Sequence, residues 1–241
     1  SIGTPQFPDI AVSAAAPLAD GDTAPDTADG TDLGLLQGGG VLRQTVTVEN
    51  AGTGDLEGVK LRLSGGDVGD FAVENASQGA TSGDVTVLGT IAPGSSATVD
   101  VVFSGATPGA RGTTLEIVSS DPDTRLFDVA LAATRAETPS LLVTTASDAV
   151  DPSDGETSLR EAIAFANAGG PDGDTGTAEI IAFAPALDGA TIRVDDLLRI
   201  TEPVTIDGDL DDDRAPDITI SGDFAQAYGT TTDANGNTIA D

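Results

Sequence analysis

The sequence predicts an all-β chain of two units, with one short helix in the second unit. Many short segments alternate apolar with polar residues, which is the period of a strand with one buried face. Clusters of Gly, Asp, Asn, Ser and Pro separate these segments, as turns do. The pattern changes after the linker "TRAETPS" at 134–140, so we expect one unit at 1–136 and a second at 137–241.

Six segments of the first unit show this alternation, and we predict that each is a strand. Val46 and Val48 share one face of the first segment, while Thr47 lies on the other. The spacing of the turns is typical of an antiparallel β-sandwich. The six segments are 44–50, 58–64, 84–91, 96–104, 113–120 and 126–133.

Two further features of the first unit could be mistaken for sites. The acidic insert "ADGDTAPDTADGTDLG" at 19–34 matches no cation-binding loop in its spacing, so we expect a solvated loop. Lys60 is the only lysine, and the alternation places it opposite Val59 and Leu61. We therefore expect Lys60 to face solvent and to form no buried isopeptide bond.

Short motifs in the first unit carry a likeness to a known family. They are an N-x-G turn, an Asp-Phe strand start, a Pro-Gly turn before a V-x-V-x-F strand, and Ser-Asp-Pro before the last strand. This pattern resembles the Ig-like domain of choice-of-anchor D and abnormal-spindle-type proteins. The resemblance implies an Ig-like β-sandwich that serves as a spacer or interaction module, often in extracellular bacterial proteins. The matching residues are Asn50, Gly52, Asp70, Phe71, Ala92, Pro93, Gly94, Val101, Phe103, Ser120, Asp121 and Pro122.

The second unit begins with a strand and a turn, followed by a helix near 157–168. Ser158 and Glu161 have the spacing of a capping box, and Gly169 follows the helical pattern. One face of the predicted helix is apolar, and its residues are Leu159, Ala162, Ile163 and Ala166.

Short β-branched segments follow the helix, and we predict strands at 179–183, 190–194, 197–201, 204–208 and 217–221. Ile192, Ile206 and Ile220 recur every 14 residues. Stacked solenoid coils with short turns would give such a repeat, so we expect these isoleucines to lie on successive coils.

The segments "TSLREAIAFAN" and "ITEPVTIDG" carry a second likeness. They resemble the CSLREA-type domain that opens right-handed parallel β-helices, with Thr157 at the position of the motif's cysteine. The resemblance implies that the helix caps the open end of a partial β-helix. We then expect Arg160 to pair with a local carboxylate. The sequence ends at Asp241 inside the turn-like stretch "TTDANGNTIAD", so we expect the coils to continue beyond it.

Composition excludes several kinds of function. The formal net charge is −30, which argues against nucleic acid or anionic membrane surfaces as partners. The chain has no Cys and no His, so thiol nucleophiles, Ser-His triads and ordinary zinc sites are excluded within it. No run of about 18 apolar residues occurs, and we expect no membrane-spanning helix. Asp outnumbers Glu 31 to 9, which fits turn chemistry and hard-cation ligation, although a saline habitat is an alternative.

Six aspartates fall between Asp207 and Asp217, and this stretch is the candidate metal site. Counting from the second of them, oxygens occur at positions 1, 3, 5 and 9, as in the first part of a Ca²⁺ loop. The stretch is similar to FG-GAP-type loops, but Arg214 stands where those loops have Gly. The alternative is a solvated acidic loop with Arg214 as a partial counter-charge. A count from the first aspartate instead uses Asp207, Asp209, Asp211 and Asp213, with Asp212 at the turn. The candidate Ca²⁺ ligands are Asp209, Asp211, Asp213 and Asp217, together with Asp207.

Catalysis is not expected in this chain. Asp195 and Asp196 are adjacent on or beside a strand, so we expect them to point to opposite faces and to be a poor catalytic pair. We expect a non-catalytic part of a large secreted or cell-surface protein that acts in adhesion or extracellular assembly. Its partners would be other copies of itself, surface proteins or glycans. The alternative is the N-terminal non-catalytic region of a β-helix polysaccharide lyase or hydrolase.

Overall fold

The computed structural model of the chain describes residues 5–222 and two further strands, at 230–232 and 238–240. The chain divides into two compact units, Ser1–Glu137 and Thr138–Asp241. Most of the secondary structure is β, and α1 (Leu159–Asn167) is the α-helix of the described residues. The prediction of an all-β chain with one short helix is thereby confirmed.

Ten strands build the first unit over the residues that the structure describes. In chain order they are β1 (Ile10–Ser13), β2 (Asp32–Leu36), β3 (Leu42–Asn50), β4 (Leu56–Ser64), β5 (Phe71–Glu74), β6 (Ala80–Ser82), β7 (Val85–Ile91), β8 (Ser96–Phe103), β9 (Gly109–Val118) and β10 (Leu126–Arg135). One sheet has the order β1-β3-β8-β5 and the other β2-β10-β9-β4-β7-β6. The β2–β10 pair is parallel, and the other described pairs of these sheets are antiparallel.

The two sheets enclose a single core between them. Val48 and Val101 come from the four-stranded sheet, and Leu61 and Ile117 from the six-stranded one; all four are fully buried in one cluster. Their polar neighbours along each strand face outward, and Lys60 is exposed as the alternation predicts. The first unit is therefore a β-sandwich.

Four strands escape the alternation that identified the other six. β1, β2, β5 and β6 are each three to five residues long, which is too short for a period of two to be recognised. Of these four strands, the sequence indicated only β5, through its Asp-Phe motif.

The insert at 19–34 is mostly exposed at 19–28, as expected of a solvated loop, but its end is buried at Gly30 and Thr31. Thr31 is 1% exposed, donates through Oγ1 to Asp29 Oδ1 at 2.6 Å, and accepts from Asp26 N at 2.8 Å. β2 begins within the insert and places Leu36 in the core.

Two buried polar side chains of the Ig-like motifs hold the sandwich together. Asn50 donates to the carbonyl oxygens of Gly54 and Ile91, both at 2.8 Å. Asp121 is 2% exposed and accepts from Ile10 N at 2.8 Å, which ties β1 to the β9–β10 turn. Burial raises the pKa of the Asp121 carboxyl, but its backbone hydrogen bonds, the largest from Ile10 N, outweigh burial and leave the pKa lowered.

The helix of the second unit begins and packs as predicted. Ser158 accepts from Glu161 N at 3.2 Å, and Glu161 Oε2 accepts from Ser158 N at 2.9 Å, which completes the capping box. The apolar face is buried against β-strand residues such as Val143, Ile181 and Ile192. The helix thus covers one side of the second core.

The strands of the second unit pair in parallel. They are β11 (Leu142–Val143), β12 (Glu179–Phe183), β13 (Thr191–Arg193), β14 (Val204–Ile206) and β15 (Thr219–Ser221). One ladder is β11-β12-β14 and the other β13-β15, so from β12 onward the chain visits the two ladders alternately. β16 (Thr230–Thr232) and β17 (Thr238–Ala240) form a separate antiparallel pair. The other positions of the turn-like stretch at 231–241 lie outside the described residues.

The 14-residue repeat does not describe the stacking. Ile192 pairs with Ile220, and Ile206 pairs with Ile181 on the other ladder. Successive isoleucines of the repeat therefore lie on different ladders, because each return of the chain contributes two strands rather than one.

The prediction of a strand at 197–201 is also wrong. Side chains of the helix hydrogen-bond the backbone of this segment. Asn167 Nδ2 donates to Arg199 O at 2.8 Å, and Asn167 Oδ1 accepts from Thr201 N at 2.9 Å. Arg160 donates to Leu197 O at 3.0 Å. Of the apolar residues that suggested a strand, Leu197 is 76% and Ile200 47% exposed, whereas Leu198 packs against the second core.

Candidate metal centre

The aspartate-rich stretch forms a closed loop between β14 and β15. Asp217 N donates to Gly208 O at 2.8 Å and thereby joins the two ends of the loop. Asp207 N donates to Ile181 O at 2.8 Å, which continues the ladder on the neighbouring strand. The loop is therefore fixed at its base to the parallel ladders.

Three of the five predicted ligands converge in this loop. Carboxylate oxygens of Asp209, Asp211 and Asp217 all lie within 4.8 Å of one another. Two oxygens bound to one Ca²⁺ at 2.3–2.6 Å each can be at most about 5 Å apart, so the spacing suits a shared calcium ion. Asp209 and Asp217 are half-buried and Asp211 is exposed, which leaves one side of the group open to solvent.

Backbone N–H groups hold these carboxylates in place. Asp209 accepts from Asp213 N at 3.2 Å and from Arg214 N at 2.8 Å. Asp217 Oδ2 accepts from Leu210 N at 2.7 Å, and Asp211 Oδ1 from Asp213 N at 3.1 Å. The N–H groups offset part of the repulsion among the three charges and restrict their rotamers.

The other two predicted ligands fold back onto their own backbone. Asp207 Oδ1 accepts from Asp209 N at 3.2 Å, and Asp213 Oδ1 accepts from Ala215 N at 2.7 Å. These are local turn contacts of the kind that aspartates favour. The structure therefore does not bring Asp207 or Asp213 into the group of three.

The loop turns through two left-handed residues that are not glycine. Asp212 has φ 60° and Arg214 has φ 72°. Arg214 occupies the position where calcium loops of this spacing have Gly, and it adopts the conformation that Gly would favour. The departure in sequence is thus accommodated by backbone strain rather than by a different turn.

One acidic residue near the group was missed by the sequence analysis. Asp188 lines a cavity of about 230 Å³ together with Pro185, Leu210, Asp211 and Asp217. It precedes β13, and its neighbour Gly189 donates through N to Asp217 O at 3.0 Å. The only signal was an ordinary Asp-Gly turn, so nothing in the sequence distinguished Asp188 from the other aspartates.

A second acidic cleft lies near the helix. Asp195 and Asp196 both line an open cavity of about 720 Å³ with Asp148, Arg160 and Arg193. Asp195 and Asp196 follow β13 in a bend rather than within a strand, so strand alternation does not set the directions of their side chains.

Arg160 has a structural role in this cleft. It donates through Nε and Nη2 to the two oxygens of Asp148, at 3.0 and 2.6 Å. It also donates to Asp196 O at 3.0 Å. The hydrogen bond to Asp148 is the main cause that raises the pKa of Arg160 above its ordinary value. The expected pairing of Arg160 with a local carboxylate is confirmed.

Comparisons with known proteins give no family for the chain. No family model matches it, and no curated protein matches it. Over 44% of its length it is similar to the secreted serine protease VesC from Vibrio cholerae, at 22% identity and TM-score 0.31, and it spans 22% of that chain. It covers 97% of the N-terminal domain of PorA (53% of this chain, 15% identity, TM-score 0.37). It covers 95% of the CARDB domain of the Pyrococcus furiosus PF1109 protein, solved with di-metal ions (56% of this chain, 13% identity, TM-score 0.31).

These likenesses are too distant to transfer a site or an activity. The site is therefore argued from the chain's own geometry. Among the described residues, none of the helices is both long and apolar enough to cross a membrane.

Proposed function

We propose that the chain is a non-catalytic part of a large secreted or cell-surface protein that acts in adhesion or extracellular assembly. One Ca²⁺ ion, held by Asp209, Asp211 and Asp217, stabilises its second unit. The convergence of these three carboxylates is the observation that carries the proposal. Other copies of the chain, other surface proteins or glycans are its partners.

The proposed ion fits the donors of the loop. All three side chains offer oxygen, which Ca²⁺ prefers, and a partly open group leaves room for waters and backbone carbonyls to complete six to eight ligands. Mg²⁺ demands a stricter octahedron at about 2.0–2.1 Å, keeps several of its waters and is usually bound by one or two carboxylates rather than three.

The expected affinity supports an extracellular location. With three carboxylates, one of them exposed, we expect a Kd of about 10⁻⁴–10⁻³ M, which is the range of extracellular modules. Such a site fills only where calcium is plentiful. The acidic balance of the chain further increases the local concentration of cations.

The architecture supports a structural role. We propose that the two alternating parallel ladders are the first coils of a right-handed parallel β-helix, and that α1 caps them. The calcium loop then lies where one coil turns into its next strand. The ion would fix the register of β15 against β13, and the stacked coils would present an extended surface to a partner.

Calcium titration by calorimetry tests the metal site. We expect one site of about 10⁻⁴–10⁻³ M Kd in the intact chain. Asp211→Asn should abolish it, whereas Asp174→Asn removes a carboxylate from a different turn of the same unit and should leave it unchanged. If both variants lost calcium binding to the same extent, the binding would reflect diffuse attraction of cations by the net charge rather than a specific site.

Surface labelling tests the location. Antibodies against the chain should label intact cells of the source organism without permeabilisation. Labelling that appears only after lysis would contradict an extracellular role.

A further inference from the structure

The first unit has an open groove between the free edges of its two sheets. β5 ends the four-stranded sheet and β6 ends the six-stranded sheet. Residues of both strands line a cavity of about 460 Å³, which is within the size range of ligand pockets. The groove reaches Phe71, Ala72 and Val73 together. Because successive side chains of a strand point to opposite faces, a cavity that touches all three contacts the edge of β5.

The hydrogen bonding of β5 shows which backbone groups face this groove. Ser104 N donates to Asp70 O at 2.9 Å, so residue 70 turns its carbonyl toward β8. In an antiparallel pair the direction alternates, so Ala72 also faces β8, while Phe71 and Val73 face away from it. Phe71 N agrees with this assignment, because it bonds Val68 O in the preceding 3₁₀ turn. Both backbone groups of Val73 and the carbonyl of Phe71 have no partner among the described residues.

The opposite edge of the same sheet is closed by the chain itself. Ile10 N of β1 donates to Asp121 Oδ2 at 2.8 Å, and Val12 O accepts from Leu18 N at 2.9 Å. β5 has no such cover among residues 5–222, and its sequence FAVE contains no proline. An uncovered edge of this kind is a template for another strand.

The lining of the groove defines what could bind there. Leu63, Val68 and Val73 give it an apolar wall, and the hydroxyls of Thr81 and Thr86 bond each other at 2.9 Å. Asp84 is the one charged residue among the described residues that line it, and its carboxylate makes no hydrogen bond or ion pair with them. The groove therefore combines an apolar wall with threonine hydroxyls and one available negative charge.

We propose that this groove binds an extended peptide segment of a partner protein by strand addition to β5. The segment exchanges two backbone hydrogen bonds with Val73 and donates one to Phe71 O. Its alternate apolar side chains enter the groove, and a Lys or Arg side chain reaches Asp84. A second copy that pairs through its own β5 is a poor occupant of this groove, because the β5 sequence FAVE offers no Lys or Arg to Asp84.

Binding of a synthetic peptide tests the proposal on the whole chain. The probe is fluorescein-labelled Lys-Val-Thr-Val-Thr-Val-Lys-amide, followed by anisotropy at low salt. Val73→Pro removes the outward N–H, at a position where an edge strand tolerates proline, and should weaken binding about tenfold or more. Val73→Ala keeps the N–H and is the matched control, so it should weaken binding less. Asp84→Asn should weaken binding several-fold and reduce its dependence on salt.

Several outcomes would overturn the proposal. Equal binding to wild type and Val73→Pro, with both proteins unfolding at the same temperature, would show that the β5 edge is not used. No binding at about 1 mM peptide would also refute it. Self-association of the chain that Val73→Pro abolishes would assign the edge to a second copy instead. The calcium site lies in the other unit, so none of these results depends on it.

Discussion

Arg214→Gly separates the two costs that Arg214 imposes on the calcium loop. The first cost is backbone strain, because Arg214 has φ 72°. A left-handed conformation costs a residue with a Cβ about 1–2 kcal/mol. Gly avoids this strain, but it destabilises the folded state by about 0.5–1 kcal/mol because it makes the unfolded chain more flexible. Without metal, the substitution should therefore stabilise the second unit by roughly 0.5–1 kcal/mol.

The second cost is electrostatic, because a guanidinium repels a cation bound in the same loop. At a separation of about 8 Å in the dielectric of water, a single and a double positive charge repel by about 1 kcal/mol. Removing the charge should then tighten Ca²⁺ binding by about fivefold.

Two matched variants distinguish these effects. Arg214→Gln removes the charge and keeps the strained Cβ, so it should tighten calcium binding without stabilising the metal-free protein. Arg214→Lys keeps both the positive charge and the strained Cβ, so its stability and its calcium affinity should resemble those of the wild type. Urea unfolding in chelator measures the strain, and calorimetric titration measures the affinity. If Arg214→Gly destabilises the metal-free protein and Arg214→Gln leaves the calcium Kd unchanged, both parts of the argument are wrong.

Three other predictions follow from single contacts. Because the pKa of Asp121 is lowered in the folded state, its contribution to the stability of the first unit is present above pH 3.8 and is lost as pH falls through the lowered pKa. Asp121→Asn should therefore make the stability of the first unit depend less on pH in acid unfolding followed by circular dichroism. Ser158→Ala removes the helix cap and should cost the second unit about 1 kcal/mol in urea unfolding, whereas Ser158→Thr should cost little. The chain should not cleave acidic polysaccharides in a reducing-end assay, and cleavage that the Asp195→Asn, Asp196→Asn double variant abolishes would contradict a non-catalytic role.

The sequence was informative where a pattern is long or a motif is local. The alternation of Val46 and Val48 identified a core strand, and the spacing of Ser158 and Glu161 identified the helix start, because each depends only on nearby residues. The stacking of Ile192 on Ile220 was missed, because pairing across a loop is a long-range property that equal spacing does not determine.

The candidate site shows the same division. Counting oxygens along the loop included Asp209, Asp211 and Asp217, and these do converge. The sequence also proposed Asp207 and Asp213, whose carboxylates accept from nearby backbone N–H groups instead. Asp188 could not be found in this way, because it lies in another part of the sequence and lines the cavity only in the folded chain. Which carboxylates point inward depends on side-chain rotamers and turn geometry that spacing alone leaves open.

Thermal unfolding with calcium and with chelator is the most direct test of the proposed metal centre. The ionic strength is held constant so that general screening of the acidic chain does not differ between the two samples. If 10 mM calcium exceeds a Kd of about 10⁻⁴–10⁻³ M, binding should stabilise the second unit by roughly 1.4–2.7 kcal/mol and raise its midpoint by about 5–15 °C. The first unit should unfold at the same temperature in both samples, and Asp211→Asn should remove the shift. A second-unit midpoint that is equal in calcium and chelator, and unchanged by Asp211→Asn, would show that the loop is merely solvated and that the calcium proposal is wrong.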